Sequence, residues 1–346
     1  MNYRQIGKTG MNASVVAFGT FPLGGWMWGG CNENDALKAV FAALDGGINL
    51  FDCAPLYGWG AAEELLGKAM KNKREQFLVA TKCGLRWNGE GWTPDVGEFH
   101  FHYDQKGLAG PDAPDVCRRW LAPESVRWEV EQSLRRLGTD YIDIYFTHAP
   151  DATTPVDDTI DELIRLKREG KIRAIGCSNV TPELMKSYLA SGELDVLQEK
   201  FNLLDRNVEK NGLIDLARSG NVSFFSYTPL ENGLLTGNMD PNRVYPEGDF
   251  RKTSPRFTPE NVRRVNEMLK EFQSIAERHH ITLAQLAAVW NISRYDKGHV
   301  LCGMRRLESV RENILAGDIL LSQEETDFMI SVADESQIVT DGLEFE

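Results

Sequence analysis

The sequence lacks the markers of several common classes. Six cysteines are scattered through 346 residues (Cys31, Cys53, Cys83, Cys117, Cys177 and Cys302), and no two form a CxxC pair. Scattered singly in a chain of this size, the cysteines read as reduced thiols of a cytoplasmic protein rather than as a disulfide framework. No apolar run approaches the roughly 18 residues a membrane helix requires. The start, MNYRQIGKTG, has no hydrophobic leader core. Positive charge is in the minority: 38 Lys and Arg stand against 51 Asp and Glu, a formal net charge of -13. Such a surface disfavours nucleic acid and anionic membranes as partners, and an anionic cofactor would need a local basic pocket. Low-complexity tracts and Pro/Ser-rich linkers are also missing, which predicts one domain over residues 1–346. Residue spacing offers no metal site and no Ser-His-Asp order, so metal-dependent and triad chemistry are not expected.

What is present is alternation. Short apolar runs at Val15–Phe18, Asn49–Phe51, Phe77–Thr81, Ile142–Phe146, Ile172–Cys177, Val196–Gln198, Val222–Ser226 and Val300–Cys302 read as strands. They are mostly non-alternating, as parallel strands covered on both faces are. Between them lie amphipathic stretches, including Asp35–Leu44, Ser125–Leu137, Thr159–Arg168, Pro182–Leu189 and Asn261–His279. Thr181-Pro182-Glu183 supplies a helix start, and Gly138, Gly170 and Gly192 follow helix ends. Eight strand-helix units predict an α/β fold, a (β/α)8 TIM barrel. Tyr3–Ile6 and Ser14-Val15, around Lys8-Thr9-Gly10, predict an N-terminal β-hairpin closing its bottom. A doubly wound sheet would want a GxGxxG turn after the first strand. Gly58 and Gly60 give only half of one, after the second.

Two connections exceed the usual length of about 2–6 residues. One, Gly84 to Ala122 after the third strand, carries Trp87, Trp92, Phe99, Phe101, Tyr103 and Trp120; the other, Leu230 to Phe257, follows the seventh. Both leave strand C-termini, the face where barrel enzymes work.

Three consecutive strands deliver an ionisable residue to that rim: Asp52, Lys82 and His148, with Tyr57 in the loop beyond Asp52. Neighbouring strands lie about 4.8 Å apart, so these side chains can converge. A Lys ammonium beside the Tyr57 hydroxyl favours the phenolate and so brings proton donation by Tyr57 within reach at neutral pH, Asp52 would hold Lys82 charged, and His148 offers a hydrogen bond to a carbonyl oxygen. This group suits carbonyl reduction if something supplies hydride. His100 and His102 lack a matching ligand pair, His279-His280 sits at a helix end, and Cys53 and Cys83 read as packing residues.

The stretches FDCAPLYGWGAAEELLGKAM, VATKCGL, LRRLGTDYIDIYFTH, GKIRAIGCSNV, FFSYTPLENGLLTG and GMRRLESVREN together resemble the aldo-keto reductase family over essentially the whole chain. LGGWMWGG and the long loop after Lys82 look most like its bacterial branch of inositol-catabolism and sugar-acting reductases. The resemblance implies a barrel that binds NADP(H) or NAD(H) without a Rossmann motif, with a catalytic tetrad of Asp52, Tyr57, Lys82 and His148. It places Ser178, Asn179 and Gln198 on the nicotinamide carboxamide and Tyr227 under its ring. Gly19, Thr20 and Asp52 also border the coenzyme, and Leu230, Gly233 and Leu235 cover the pyrophosphate. Gly303, Arg305, Arg306, Ser309, Glu312 and Asn313 mark the adenosine end. Because guanidinium pairs bidentately with phosphate, the two arginines make NADP(H) the expected coenzyme, with NAD(H) possible. Trp26, Trp87, Tyr57 and His148 are the expected substrate contacts. Departures from the family pattern are Cys302 before Gly303, Ala149-Pro150-Asp151 after His148, and Ser309 where Gln is common.

Three functions fit these readings. The first is reduction of an aldehyde, ketone or sugar, within carbohydrate metabolism. The second is oxidation of a sugar or polyol with NAD(P)+. The third is a nucleotide-sensing regulatory subunit like the potassium-channel β subunits of the family. The residues assign no substrate and no oligomeric state.

Overall fold

A computed structural model of the protein describes residues 1–25, 32–88, 96–104, 112–245 and 249–340. Eight parallel strands close a barrel in sequence order: β1 (Val16–Gly19), β2 (Leu50–Asp52), β3 (Leu78–Cys83), β4 (Ile142–Thr147), β5 (Ile172–Ser178), β6 (Leu194–Lys200), β7 (Ser223–Tyr227) and β8 (Gly298–Gly303). Their boundaries fall within two residues of those read from the apolar runs. Two-residue offsets include those at β6, extended by charged residues at both ends, and at the start of β8, begun by Gly298-His299.

The period-two geometry of a strand explains why the runs are apolar throughout. Side chains of one parity, among them Ala17, Leu50, Ala80, Ile144, Ala174, Val196, Phe225 and Leu301, fill the barrel interior. Those of the other parity, including Val16, Phe18, Phe51, Val79, Tyr145, Leu197 and Val300, pack under the helices. A helix start and a helix end signal act as expected: the Thr181 hydroxyl accepts the Leu184 N–H at the head of helix Pro182–Ala190, and Gly138 ends Pro123–Leu137 with φ of 63°. The stretch Asn261–His279 is two helices rather than one, Pro259–Lys270 and Gln273–Arg278. Tighter bonds from Glu271 and Phe272 back to Met268 and Leu269 break the ladder between them.

Strands Tyr3–Gln5 and Asn12–Ser14 pair antiparallel as the expected hairpin. It seals the end opposite the strand C-termini. Gly7 N–H donates to Ser223 Oγ at 2.9 Å, and Arg4 donates to the carbonyls of Ile292, Tyr295 and Gly298. The long connection after β3 is more ordered than a loop. Leu85–Arg86, Asp115–Arg119 and Glu98–Tyr103 form a three-stranded antiparallel sheet over the mouth. After β7, short 3-10 segments Glu231–Thr236, Phe250–Lys252 and Pro255–Phe257 replace extended chain. Among the described residues, no helix is long and apolar enough to cross a membrane.

Candidate active site

Barrel register decides which side chains meet. Asp52 ends β2 beside Ala80 of β3, and Lys82 lies one inward-facing step further along β3. Lys82 is fully buried, a position an ammonium occupies only when its protons are satisfied. Its Nζ donates to Asp52 Oδ1 and Oδ2 at 2.9 and 3.0 Å, to the Cys53 carbonyl at 2.7 Å and to the Tyr57 hydroxyl at 3.2 Å. Asp52 is fixed from two further directions. Gln198 Nε2 donates to Oδ1 at 2.9 Å, and the Thr20 N–H and hydroxyl both donate to the Asp52 carbonyl. The Tyr57 ring meets the edge of His148 with centroids 6.2 Å apart and packs against Phe21 at 4.9 Å. All four expected residues therefore converge.

The Lys82 pull on Tyr57 is present as expected, but burial outweighs it. Burial pushes the phenol up to about 12, and the opposing pull of the Lys82 ammonium does not overcome it. Tyr57 is thus held as a protonated donor rather than drawn toward phenolate. Burial acts to lower Lys82, but Asp52 and Tyr57 outweigh it and keep the ammonium charged. Burial, then Lys82 and His100, hold the His148 imidazole well below its usual range, so it is neutral near pH 7. The Cys53 and Cys83 thiols are buried and raised, chiefly by desolvation, which suits packing residues.

Tyr57 is aimed by a close backbone approach. A Cβ on Gly24 would lie 2.5 Å from the Tyr57 carbonyl carbon and 2.6 Å from Gly58 N, so the two segments touch main chain to main chain. Gly58, with φ of 66°, makes the turn that follows.

The residues expected around the coenzyme lie on the same rim. Ser178 and Gln198 are register partners on β5 and β6. The Ser178 hydroxyl is buried without a hydrogen-bond partner, which fits a ligand that brings an amide to this spot. Asn179, left-handed with φ of 57°, donates to the His148 carbonyl at 2.8 Å and accepts from the Tyr227 hydroxyl at 2.7 Å. Gln198 also holds Asp52, a second role not legible in the sequence. Thr20 is fully buried with its hydroxyl on the Asp52 carbonyl, and Leu235 is fully buried in the core. Leu230 and Gly233 are half-buried at the turn after β7, while Gly19 and Gly303 pair where β1 meets β8. Arg305 is half-buried and Arg306 exposed, both leading into helix Leu307–Ala316. The Ser309 hydroxyl donates to the Arg306 carbonyl, Asn313 donates to the Ser309 carbonyl, and Glu312 is exposed beside them.

Of the substrate contacts, Trp87 joins an aromatic group over the mouth, 5.6 Å from Trp59, which stacks on Tyr103 at 4.2 Å. Trp26 lies outside the described residues. His100, which the sequence offered only as an unmatched metal ligand, lies near enough to His148 to act on its charge. The strand that carries His100 meets the loop after β4: Glu98 accepts the Ala152 N–H at 3.3 Å, and Tyr103 and Ala149 belong to one small hydrophobic cluster. Among the described residues, no group of three or more His, Cys, Asp or Glu could hold a metal ion.

Comparison with known proteins identifies the family. The model of the Aldo/keto reductase family matches residues 15–333. An NADH-specific methylglyoxal reductase of Escherichia coli is 38% identical over 336 residues, 95% of this chain and 97% of that protein. An aldo-keto reductase of Bacillus subtilis is 33% identical, covering 94% of this chain and 92% of its own length. Among solved structures, the glycerol dehydrogenase of Gluconobacter oxydans superposes with a TM-score of 0.84 at 33% identity, over 99% of both chains. The tetrad geometry, the closed barrel and these full-length matches agree that the chain belongs to the aldo-keto reductase family.

Proposed function

We propose that the protein reduces short, oxygen-rich aldehydes or ketones, with Tyr57 as the proton donor and His148 as the hydrogen-bond donor that orients the carbonyl. The carrying observation is the Lys82 ammonium, bonded at once to Asp52 and to the Tyr57 hydroxyl. As Tyr57 releases its proton, the nearby ammonium stabilises the phenolate where that charge develops. A neutral His148 can donate one N–H to the same oxygen without competing for the proton. When bound, a reduced nicotinamide coenzyme supplies the hydride. Ser178, Asn179 and Gln198 would hold its amide, and the backbone around Leu230–Leu235 its phosphates.

The substrate class is supported by the names of two relatives, a methylglyoxal reductase and a glycerol dehydrogenase, both acting on small oxygenated molecules. Aromatic and imidazole side chains around the mouth, Trp87, Trp59, Tyr103 and His100, suit such compounds. A panel of 2-oxoaldehydes, aldoses, inosose-like ketones and plain alkyl aldehydes, followed by coenzyme absorbance, tests it. Short oxygenated carbonyls should have the highest kcat/KM, and a preference for long alkyl aldehydes would refute the assignment.

For the coenzyme, Arg305 and Arg306 support NADPH, since both stand before the helix where a 2′-phosphate would add charge. The NADH-specific Escherichia coli relative supports the other reading. Titrating both coenzymes separates them. If the arginines hold a phosphate, Arg305→Ala with Arg306→Ala should weaken NADPH by about 10- to 100-fold and leave NADH unchanged. Equal effects on both would favour NADH.

The close approach at Gly24 gives a separate expectation. Gly24→Ala pushes on the Tyr57 backbone, so kcat should fall by about 10- to 100-fold while the coenzyme Kd holds. Full activity in that variant would show that the loop tolerates the displacement.

A further inference from the structure

The turn after β7 combines two unusual features. Thr228, Glu231 and Asn232 are all left-handed, with φ of 56°, 44° and 53°, and Gly233 continues the run at 102°. Left-handed backbone is strained for a β-branched Thr and for Glu, so something must hold these residues there. Beneath them lies a buried group of opposite charges. Glu231, 1% exposed, accepts from Asn202 Nδ2 at 2.6 Å and from Arg256 Nη1 at 2.5 Å, with Lys200 Nζ 3.5 Å away. Asp205 is the second acid of the group, 3.3 Å from Lys200 and 3.9 Å from Arg256.

The partners come from two stretches of chain far apart in sequence. Lys200 ends β6, and Asn202 and Asp205 sit in the turn beyond it. Arg256 lies in Pro255–Phe257, the far end of the long connection after β7. Asn202 is itself locked, because its Oδ1 accepts the N–H groups of Leu204 and Asp205 while its Nδ2 also reaches the Thr228 carbonyl at 3.0 Å. One carboxylate therefore joins the end of β6, the strained turn and the close of the long connection.

We propose that Glu231 is a positioning residue for coenzyme binding. Through Asn202, Arg256 and Lys200 it holds the turn Thr228–Gly233, left-handed at Thr228, Glu231, Asn232 and Gly233, in the shape that presents this backbone to the coenzyme. The inference rests on the reading that the Leu230–Leu235 segment holds the coenzyme phosphates. Glu231 touches no reacting atom; its effect passes through the turn.

The test is Glu231→Gln in the full-length protein, with coenzyme Kd read from quenching of tryptophan fluorescence and with steady-state kinetics alongside. The expected result is a coenzyme Kd and KM raised tenfold or more, with kcat at saturating coenzyme within twofold of wild type and the carbonyl KM unchanged. A wild-type coenzyme Kd in the folded variant overturns the proposal. So does a loss spread evenly over kcat and both KM values, which marks a general structural role. Asn232→Ala, at a half-buried position, carries the test if Glu231→Gln does not fold. Removing a residue that tolerates the left-handed region should raise coenzyme Kd at least threefold, and an unchanged Kd again overturns the proposal. Wild-type protein that binds neither NADH nor NADPH would instead refute the coenzyme reading itself.

Discussion

Tyr57→Phe should abolish carbonyl reduction while leaving the coenzyme bound as before. The substitution removes one oxygen from a half-buried ring that keeps its contacts with Phe21 and His148. That oxygen is the proton donor, and general acid catalysis is worth about 10²- to 10⁴-fold. A drop of at least about 10³-fold in kcat is expected, because the phenol is lost together with the ammonium contact that would stabilise its phenolate. Coenzyme Kd should change by less than about twofold, as the hydroxyl is not among its expected contacts. Residual turnover above a tenth of wild type would show that His148 or water donates the proton instead.

Lys82→Met should produce the largest loss of stability of any tetrad change. The ammonium is fully buried and is the counter-charge to a buried Asp52. Removing one partner of such a pair strands the other charge, at a cost of about 3–5 kcal/mol. Chemical denaturation should show that loss, and turnover should fall with it because nothing then opposes the phenolate charge. The double variant Asp52→Asn, Lys82→Met removes both charges and should regain a large part of the stability but no activity. If the double variant is no more stable than the single one, the penalty lies in lost packing rather than in an orphaned charge.

These two residues also show what the amino-acid order makes legible. Apolar runs ending on Asp52, Lys82 and His148 mark strand ends on one rim, because a parallel barrel buries the run and exposes its terminus. The three-stranded sheet over the mouth is hidden for the opposite reason. Glu98–Tyr103 and Asp115–Arg119 mix charges, imidazoles and aromatics with no clean alternation, and a bulge between Phe99 and Phe101 disturbs the pairing. The protonation state of Tyr57 was not readable either, since it depends on how far burial outweighs one neighbouring charge. Nor could a sequence show that Thr228 and Glu231 adopt left-handed angles, which non-glycine residues take only when distant partners force them.

The meeting of β1 with β8 has a consequence for how the chain is made. Val16 pairs with Val300, and Arg4 reaches the carbonyls of Ile292, Tyr295 and Gly298, so the first barrel strand waits for nearly all the others. While the chain is being synthesised, β1 and the newest strand present open, apolar edges that invite pairing with other chains. Contacts this distant in sequence also form slowly. Ring closure at β8 is therefore the step that removes both open edges. Substitutions in Gly298–Gly303 should lower soluble yield more than equally buried changes in β3 or β4, whose neighbours are already in place.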